Sequence, residues 1–178
     1  QTVTVAGTEA AETVIPAIAR QLMGLKRQRR GVAGRVERLL ENHPLLTVLT
    51  SMPGIAAKTG SQILLAIDGD ITRFENSSRL AAYAGIAPVT RRSGTSIRGE
   101  HPSRGGNKRL KNALWQSAFI AAFHDPESNA YYRRKRAEGK RHNAAIICLA
   151  RRRCDVLYSM LKNGTLYQPK QTDLAKAA

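Results

Sequence analysis

The sequence has few cysteines, few acidic residues, few aromatic residues and no long apolar run. Its two cysteines, Cys148 and Cys154, form neither a disulfide framework nor a zinc-binding pattern, so a reduced, cytoplasmic setting is expected. No apolar run approaches the roughly 18 residues of a membrane helix, which argues against a membrane-spanning protein. The chain begins at Gln1 without a basic and then apolar leader, so no secretion signal is visible, and such a start is compatible with a piece of a longer protein.

The scarcity of acidic residues leaves a large positive charge. The 178 residues include 29 Lys+Arg against 13 Asp+Glu, which gives a formal net charge of +16. Hydrophobic residues make up 42% of the chain, which excludes wholesale disorder and is enough for a core. The charge excess argues against an enzyme with a small uncharged substrate. It indicates a polyanionic partner, nucleic acid before an anionic membrane surface.

The N-terminal third has the pattern of one long helix. Its apolar residues follow steps of four and three residues if Arg29 takes one seam position, and they are Val14, Ile18, Leu22, Leu25, Val32, Val36 and Leu39. This heptad-like seam predicts a coiled-coil linker over residues 1–43 that forms a homodimer. Regular helix is expected from Thr13, with Pro16 in or near the first turn. A helix folded back onto its own domain remains the alternative.

Residues 44–165 are predicted to form a compact helical domain, so the whole chain is assigned to the all-α class. One helix is expected over 45–52, a second ends near Gly69, and a third runs from an N-cap at Ser77 to Gly85. Three more are expected over 107–123, 126–140 and 144–161. Residues 88–106 are interpreted as a long exposed basic loop, with a short hairpin around Ser93-Gly94 as an option. Residues 166–178 are expected to be a disordered tail. Trp115, Phe119 and Phe123 are assigned to the core rather than to a base-stacking platform.

A Pro-Gly turn between two short helices indicates a helix-hairpin-helix-like element. In such hairpins small residues allow close approach to a phosphate, so Gly54 is a candidate nucleic-acid contact. The usual second glycine is replaced by Ala56, and a second, weaker copy of the pattern surrounds Gly85. An ordinary αα-hairpin with a glycine turn explains Gly54 equally well.

Basic residues interleaved with glycine are the main candidates for phosphate contact. The first group lies around the predicted loop and comprises Arg91, Arg92, Arg98, Arg104, Gly105, Gly106, Lys108, Arg109 and Lys111. The second group follows two tyrosines and comprises Arg133, Arg134 and Arg136, and Arg151-Arg152-Arg153 follows the same logic. A solvated basic face, with the tyrosines packed inward, is the alternative for the second group.

Ser103 lies just before a predicted helix N-terminus, beside Arg104. Taken alone it reads as a helix cap or a phosphate ligand, but Asn107 is an equally good cap and would leave Ser103 free. A serine that attacks a DNA phosphate forms a phosphoserine ester. That ester keeps the energy of the broken bond, so rejoining needs no ATP.

Several short motifs occur in a familiar order. They are Pro53-Gly54-Ile55, Arg73-Phe74, Leu80-Ala81-Ala82-Tyr83-Ala84-Gly85-Ile86-Ala87-Pro88, Ser93-Gly94 and Ser103-Arg104-Gly105-Gly106-Asn107-Lys108-Arg109-Leu110. Over roughly residues 45–162 the chain thereby resembles the C-terminal transposase domain of the IS110 (IS116/IS902-like) insertion-sequence family, to which the pilin-gene invertases also belong. The long first helix resembles the coiled coil that joins the two halves of these proteins.

The resemblance implies a function that the composition does not. It implies a bacterial cytoplasmic, nucleoid-associated DNA recombinase in which Ser103 is the nucleophile. An N-terminal RuvC-like domain would carry four metal-binding acids and Mg²⁺; that domain is absent from this chain, which itself needs no cofactor or metal. The implied partners are DNA, a structured guide RNA in some members, and a second copy. This part alone is expected to bind nucleic acid without recombining it.

Two other interpretations remain open at the level of sequence. One is a non-catalytic helix-hairpin-helix module that only binds DNA or RNA, and the other is a basic structural RNA-binding protein. Both share the positive charge, so charge does not separate them from a recombinase. A covalent protein–DNA adduct that depends on Ser103 would separate them.

Overall fold

The computed structural model describes residues 7–93 and 97–169, with the backbone alone for Glu9, for residues 90–93 and for residues 97–102. Within these residues the elements, in chain order, are α1 (Thr8–Leu40), α2 (Pro44–Thr50), α3 (Ala57–Ala66), a short 3-10 turn (Ile71–Arg73), α4 (Ser77–Ala84), β1 (Pro88–Ser93), β2 (Ile97–Pro102), α5 (Lys108–His124), α6 (Pro126–Ala137) and α7 (His142–Asn163). The chain is therefore all-α, as the periodicity predicts, with one small hairpin. No helix among the described residues is both long and apolar enough to cross a membrane.

The chain divides into two compact units, residues 1–39 and 40–178. The first contains α1, which starts at Thr8 rather than at Thr13, so that Pro16 lies inside the helix and not in its first turn. The apolar residues of the predicted seam are largely exposed along this helix, Leu25 at 61% and Leu39 at 82%. The coiled coil itself stays a prediction.

The second unit is built around α7, which packs against α2, α4, α5 and α6. Its core includes aliphatic residues of α2, α4, α5 and α7, among them Leu49, Leu80, Leu110, Ile146 and Leu157. The helix ends follow local chemistry. Asn76 rather than Ser77 caps α4, because its side-chain oxygen accepts the amide of Arg79.

Most of the segment interpreted as a loop is a two-stranded antiparallel hairpin. β1 pairs with β2 from Pro88↔Pro102 to Ser93↔Ile97. The predicted hairpin at Ser93-Gly94 thus agrees with the structure as far as Ser93, and Gly94 lies outside the described residues. The sequence predicts only a short hairpin within a loop because the strands have almost no apolar alternation, which is the sequence signal for a half-buried strand.

The predicted disordered tail begins with residues in contact with the domain. The amide of Tyr167 donates to Ser51 Oγ at 2.9 Å, and the Tyr167 side chain packs against the core. The start of the tail is therefore ordered, and residues 170–178 lie outside the described residues.

The predicted basic helix also ends earlier than expected, at Ala137 rather than Lys140.

Candidate nucleic-acid interface around Ser103

Ser103 lies in the short connection between the end of β2 and the start of α5. It is half-buried, while Arg104, Gly105 and Gly106 after it are exposed. Its hydroxyl makes one long hydrogen bond, to the Gly105 carbonyl at 3.5 Å, whereas its own carbonyl accepts a bond from Lys111 Nζ at 3.1 Å. The backbone of Ser103 is thus held from α5, and its Oγ is only weakly engaged.

Two glycines let this connection pack directly on the end of α4. Gly106 has φ +91, and a Cβ there would lie 2.6 Å from the Gly85 nitrogen and 2.8 Å from the Tyr83 carbonyl oxygen. Gly85 ends α4 in the left-handed conformation, and a Cβ on it would overlap the Gly105 carbonyl. Only glycine at both positions allows the two backbones to touch.

Asn107 joins the connection to two helices at once. Its Oδ1 accepts the amides of Arg109 and Leu110, both at 3.0 Å, so Asn107 caps α5 and Ser103 does not. Its Nδ2 donates to the Tyr83 hydroxyl at 2.9 Å, and its own amide donates to the Tyr83 carbonyl at 2.7 Å. Tyr83 in turn donates to the Ala66 carbonyl at 3.3 Å.

The start of α5 is strongly positive. Lys108, Arg109 and Lys111 lie in its first turns, and no acidic residue is present in its first turn. Cations at a helix N-terminus add to the positive end of the helix dipole, which disfavours them in isolation and attracts an anion. Lys108 and Arg109 are exposed beside the Ser103 connection. These cations therefore lie beside a hydroxyl that makes one long hydrogen bond.

The hairpin brings three predicted contact residues to the same region of the chain. Its register places Arg92 opposite Arg98, and Arg91 opposite Gly99. Like charges at directly opposite positions destabilise a strand pair unless an anion compensates them. Because β2 ends at Pro102, immediately before Ser103, these positions lead into the Ser103 connection.

The Pro53-Gly54 turn packs directly on α5, which agrees with the alternative of an ordinary αα-hairpin with a glycine turn. A Cβ on Gly54 would lie 2.5 Å from the Ser117 carbonyl oxygen of α5, so the glycine is required for helix packing. The buried Arg153 guanidinium donates to the Pro53 carbonyl and, at 2.9 Å, to Ser117 Oγ. Burial lowers the pKa of Arg153 to about 10, which still leaves it charged at neutral pH. These contacts explain Gly54 without a phosphate, and its phosphate contact stays a prediction.

The other arginines near Arg153 also have protein partners. Arg151 pairs with Asp155 and donates to Ser78 Oγ, and Arg152 donates to Glu127 at 3.3 Å. The expectation that the arginine triplet lies along a nucleic-acid backbone is therefore wrong for Arg153, which is buried. It is weakened for the other two, whose charges are already paired.

On α6 the basic candidates differ in whether their side chains already contact other groups of the protein. Arg134 lies 5.0 Å over the Tyr131 ring and pairs with Glu138 at 3.9 Å, and Arg136 donates to the Lys140 carbonyl at 2.7 Å. Arg133 is exposed. Tyr131 packs against the core while basic side chains remain at the surface, as the solvated-face alternative predicts, and their contact with nucleic acid stays a prediction.

The residues that hold Ser103 in place were only partly accessible from sequence. Asn107 was recognised as a cap, but its bonds to Tyr83 have no local signal, since the partner lies in another helix. Two of the three residues Trp115, Phe119 and Phe123 also differ from expectation. Trp115 packs against the core, as predicted. Phe119 is 37% and Phe123 52% exposed, so the assignment to the core is wrong for these two residues.

Among the described residues, no group of three or more His, Cys, Asp or Glu side chains could hold a metal ion. Cys154 is buried, and burial raises the pKa of its thiol to about 12, so it offers no thiolate ligand near neutral pH.

Comparison with known proteins identifies what the chain resembles. Residues 46–133 match the model of the transposase IS116/IS110/IS902 family. The chain is 48% identical over 170 residues to a 43.6 kDa protein of insertion element IS110 from Streptomyces coelicolor, which covers 96% of this chain and 42% of that protein. It is 37% identical over 171 residues to a 42 kDa protein of insertion element IS900 from Mycobacterium paratuberculosis, which covers 96% of this chain and 43% of that protein.

A relative with a stated activity is also similar. The chain is 34% identical over 121 residues to the pilin gene-inverting protein of Moraxella bovis, which covers 66% of this chain and 37% of that protein. The chain thus spans less than half the length of these relatives.

Proposed function

Because this chain belongs to the IS116/IS110/IS902 family of transposases, we propose that it is the serine-bearing part of a DNA recombinase, with Ser103 as the nucleophile. The observation that carries the proposal is the setting of Ser103. Its backbone is fixed by Lys111 and by the Gly85–Gly106 contact, while its hydroxyl is engaged by one bond of 3.5 Å beside a basic helix N-terminus.

The proposed reaction has two steps. In the first, Ser103 Oγ attacks a DNA phosphorus, an Oγ–P bond forms, and the bond from phosphorus to the leaving strand's sugar oxygen breaks. The serine proton passes to a base, and the leaving oxygen takes up a proton to become a hydroxyl. In the second step the hydroxyl of another strand attacks the phosphoserine, which restores a phosphodiester and releases the serine.

Lys108 and Arg109, at the positive end of the α5 dipole, would bind the phosphate next to Ser103. Their positive potential would stabilise the negative charge that develops on the phosphate oxygens during attack. Arg104 and the hairpin positions Arg91, Arg92 and Arg98 would extend the contact along the nucleic-acid backbone. Such contacts should weaken steeply with added salt, because they release counterions.

The base and the divalent ion would come from outside this chain. The relatives are more than twice as long, which leaves room for the RuvC-like acidic domain that the family resemblance implies. Mg²⁺ bound there would supply Lewis-acid stabilisation of the phosphate. Alone, the chain would bind DNA or a structured guide RNA and dimerise through α1 without recombining DNA.

The test is Ser103→Ala in the full-length protein, with recombination and a covalent protein–DNA adduct as readouts. We expect loss of both by about a thousandfold or more, because removal of a nucleophile abolishes the covalent route. Ser159→Ala, at an exposed serine of α7, is the matched control and should retain both. Recombination retained in Ser103→Ala would contradict the assignment of Ser103 as the nucleophile. A wild-type protein that binds DNA but never forms the adduct would support the binding-only module instead.

A further inference from the structure

A row of aromatic rings on the surface of the second unit is not used by the proposed reaction. We define this aromatic face by Trp115, Phe119 and Phe123 on α5, Tyr132 on α6 and His142 at the start of α7. Trp115 and Phe119 are stacked, with ring centroids 5.2 Å apart and planes 12° from parallel. Phe119 and Phe123 meet edge to face at 5.1 Å.

The outer rings are held in place by neighbours while part of their surface stays open. His142 lies 6.0 Å from Phe119, and Tyr132 lies 5.8 Å from Phe123. The Tyr132 hydroxyl and His142 Nδ1 are 2.9 Å apart, which joins α6 to α7. Phe123, 52% exposed, is therefore a supported ring with an open surface rather than a loose side chain.

The charges around the aromatic face identify its partner. Between Pro102 and His124 the sequence has no acidic residue, and Lys108, Arg109 and Lys111 lie at one end of α5. Beyond the other end, Arg133, Lys140 and Arg141 are exposed near Tyr132 and His142. Two acids close to these residues in the sequence are engaged, since Asp125 caps α6 through Ser128 and Glu138 pairs with Lys135. A second copy of this chain, itself at +16, would meet electrostatic repulsion there.

We propose that the aromatic face binds unpaired nucleotides of a nucleic acid, whose bases stack on Phe119 and Phe123 while the surrounding cations hold the backbone. Exposed aromatic rings beside a basic groove are the combination by which proteins bind single strands. This inference rests on the nucleic-acid binding in the proposed function but assigns a separate site from Ser103.

The spacing along α5 relates this site to the serine. Lys111, which bonds to Ser103, precedes Phe123 on the same helix, and the rise of 1.5 Å per residue separates them by about 18 Å. A stacked strand rises about 3.4 Å per nucleotide. A strand that follows α5 from the phosphate at Ser103 would thus place a base about five nucleotides away on Phe123.

The test compares single and double strands. The probes are an oligothymidylate of about ten nucleotides, within the usual range of single-strand sites, and its duplex with oligoadenylate. Phe123→Ala should weaken single-strand binding about tenfold and leave duplex binding within about twofold, because paired bases cannot stack on the ring. Phe123→Tyr, which keeps a ring, should bind like the wild type.

Ile120→Ala is the matched control, since Ile120 is 43% exposed on the same helix and has no aromatic ring. It should change neither affinity. The fluorescence of Trp115, the one tryptophan of the chain, should change on single-strand binding in the wild type and less in Phe123→Ala.

Equal losses in Phe123→Ala and Ile120→Ala, or equal losses for both probes, would overturn the aromatic-face proposal alone. A wild-type chain that binds neither probe would overturn both this inference and the nucleic-acid part of the proposed function.

Discussion

At the scale of single residues, Gly105 and Gly106 have opposite surroundings although they are neighbours. Gly106 has φ +91 and touches the backbone of α4, whereas a Cβ on Gly105 would meet nothing within 4 Å. The close contact fixes the path of the chain immediately after Ser103. The conformation of the serine connection therefore depends on Gly106 much more than on Gly105.

Gly106→Ala should lower the free energy of unfolding by about 1–3 kcal/mol, because the Cβ strains the backbone and forces it away from Gly85. Gly105→Ala should change it by less than about 0.5 kcal/mol, as for an open surface position. Denaturant unfolding of both variants measures the difference. Equal effects of the two substitutions would contradict the close backbone contact.

At the scale of elements, α5 begins with a cap that also links it to α4. Asn107 accepts two amides of α5 and donates to the Tyr83 hydroxyl, whereas Asn76 caps α4 by accepting the Arg79 amide. Both helices need their caps, but only the cap of α5 lies four residues from the serine on a shared connection. Substitutions of the two caps can therefore distinguish an effect on helix stability from an effect on the position of Ser103.

Asn107→Ala and Asn76→Ala should each lower the free energy of unfolding by about 1 kcal/mol, the usual value of a lost cap. In the full-length protein only Asn107→Ala should slow formation of the Ser103 adduct, by about tenfold or more, because the connection loses its side-chain bond to the Tyr83 hydroxyl. Denaturant unfolding and adduct assays measure the two effects. A similar slowing by Asn76→Ala would show that stability alone accounts for the loss.

Also at the scale of elements, the sequence predicts where the helices lie better than which of their faces pack against the core. Apolar periodicity predicts most of the helices from α2 to α7, and Gly85 marks the end of α4 as expected. Trp115, Phe119 and Phe123 show the limit of such patterns. Each step of four residues advances about 40° around a helix of 3.6 residues per turn, so Phe123 has rotated about 80° from the core-packed Trp115.

The candidate site was predictable where it is local and not where it is assembled from distant residues. Ser103, Asn107 and Lys108 lie in one motif, so their proximity follows from the chain itself. The contact of Asn107 with Tyr83 and the packing of Gly54 on α5 depend on how helices meet. No short pattern encodes those contacts, which is why the sequence leaves Gly54 open between a phosphate contact and an ordinary glycine turn.

At the scale of the whole molecule, the cations that give the charge of +16 differ in whether they already have a partner within the protein. Arg151, Arg152 and Arg153 are engaged with Asp155, Glu127 and the Pro53 carbonyl. The exposed cations of α5 and Arg133 of α6 remain available to a polyanion, as do the exposed cations of α1. Part of the excess therefore stabilises the fold, and part stays at the surface, including the cations near Ser103 and the aromatic face.

The same scale includes α1, a unit of its own whose apolar residues are exposed. A long helix with such a stripe gains stability by burying it against a second copy, so we expect a homodimer through the seam. Leu25 is a seam residue at 61% exposure, and Met23 is outside the seam at 56%.

Leu25→Lys should shift the chain from dimer to monomer, because the substitution would bury a charge in the seam. Met23→Lys adds the same charge at a solvated position and should leave the dimer intact. Sedimentation velocity at equal chain concentrations measures both. A monomeric wild type, or dissociation by both variants alike, would contradict the seam, since in each case the pairing would not depend on the heptad positions.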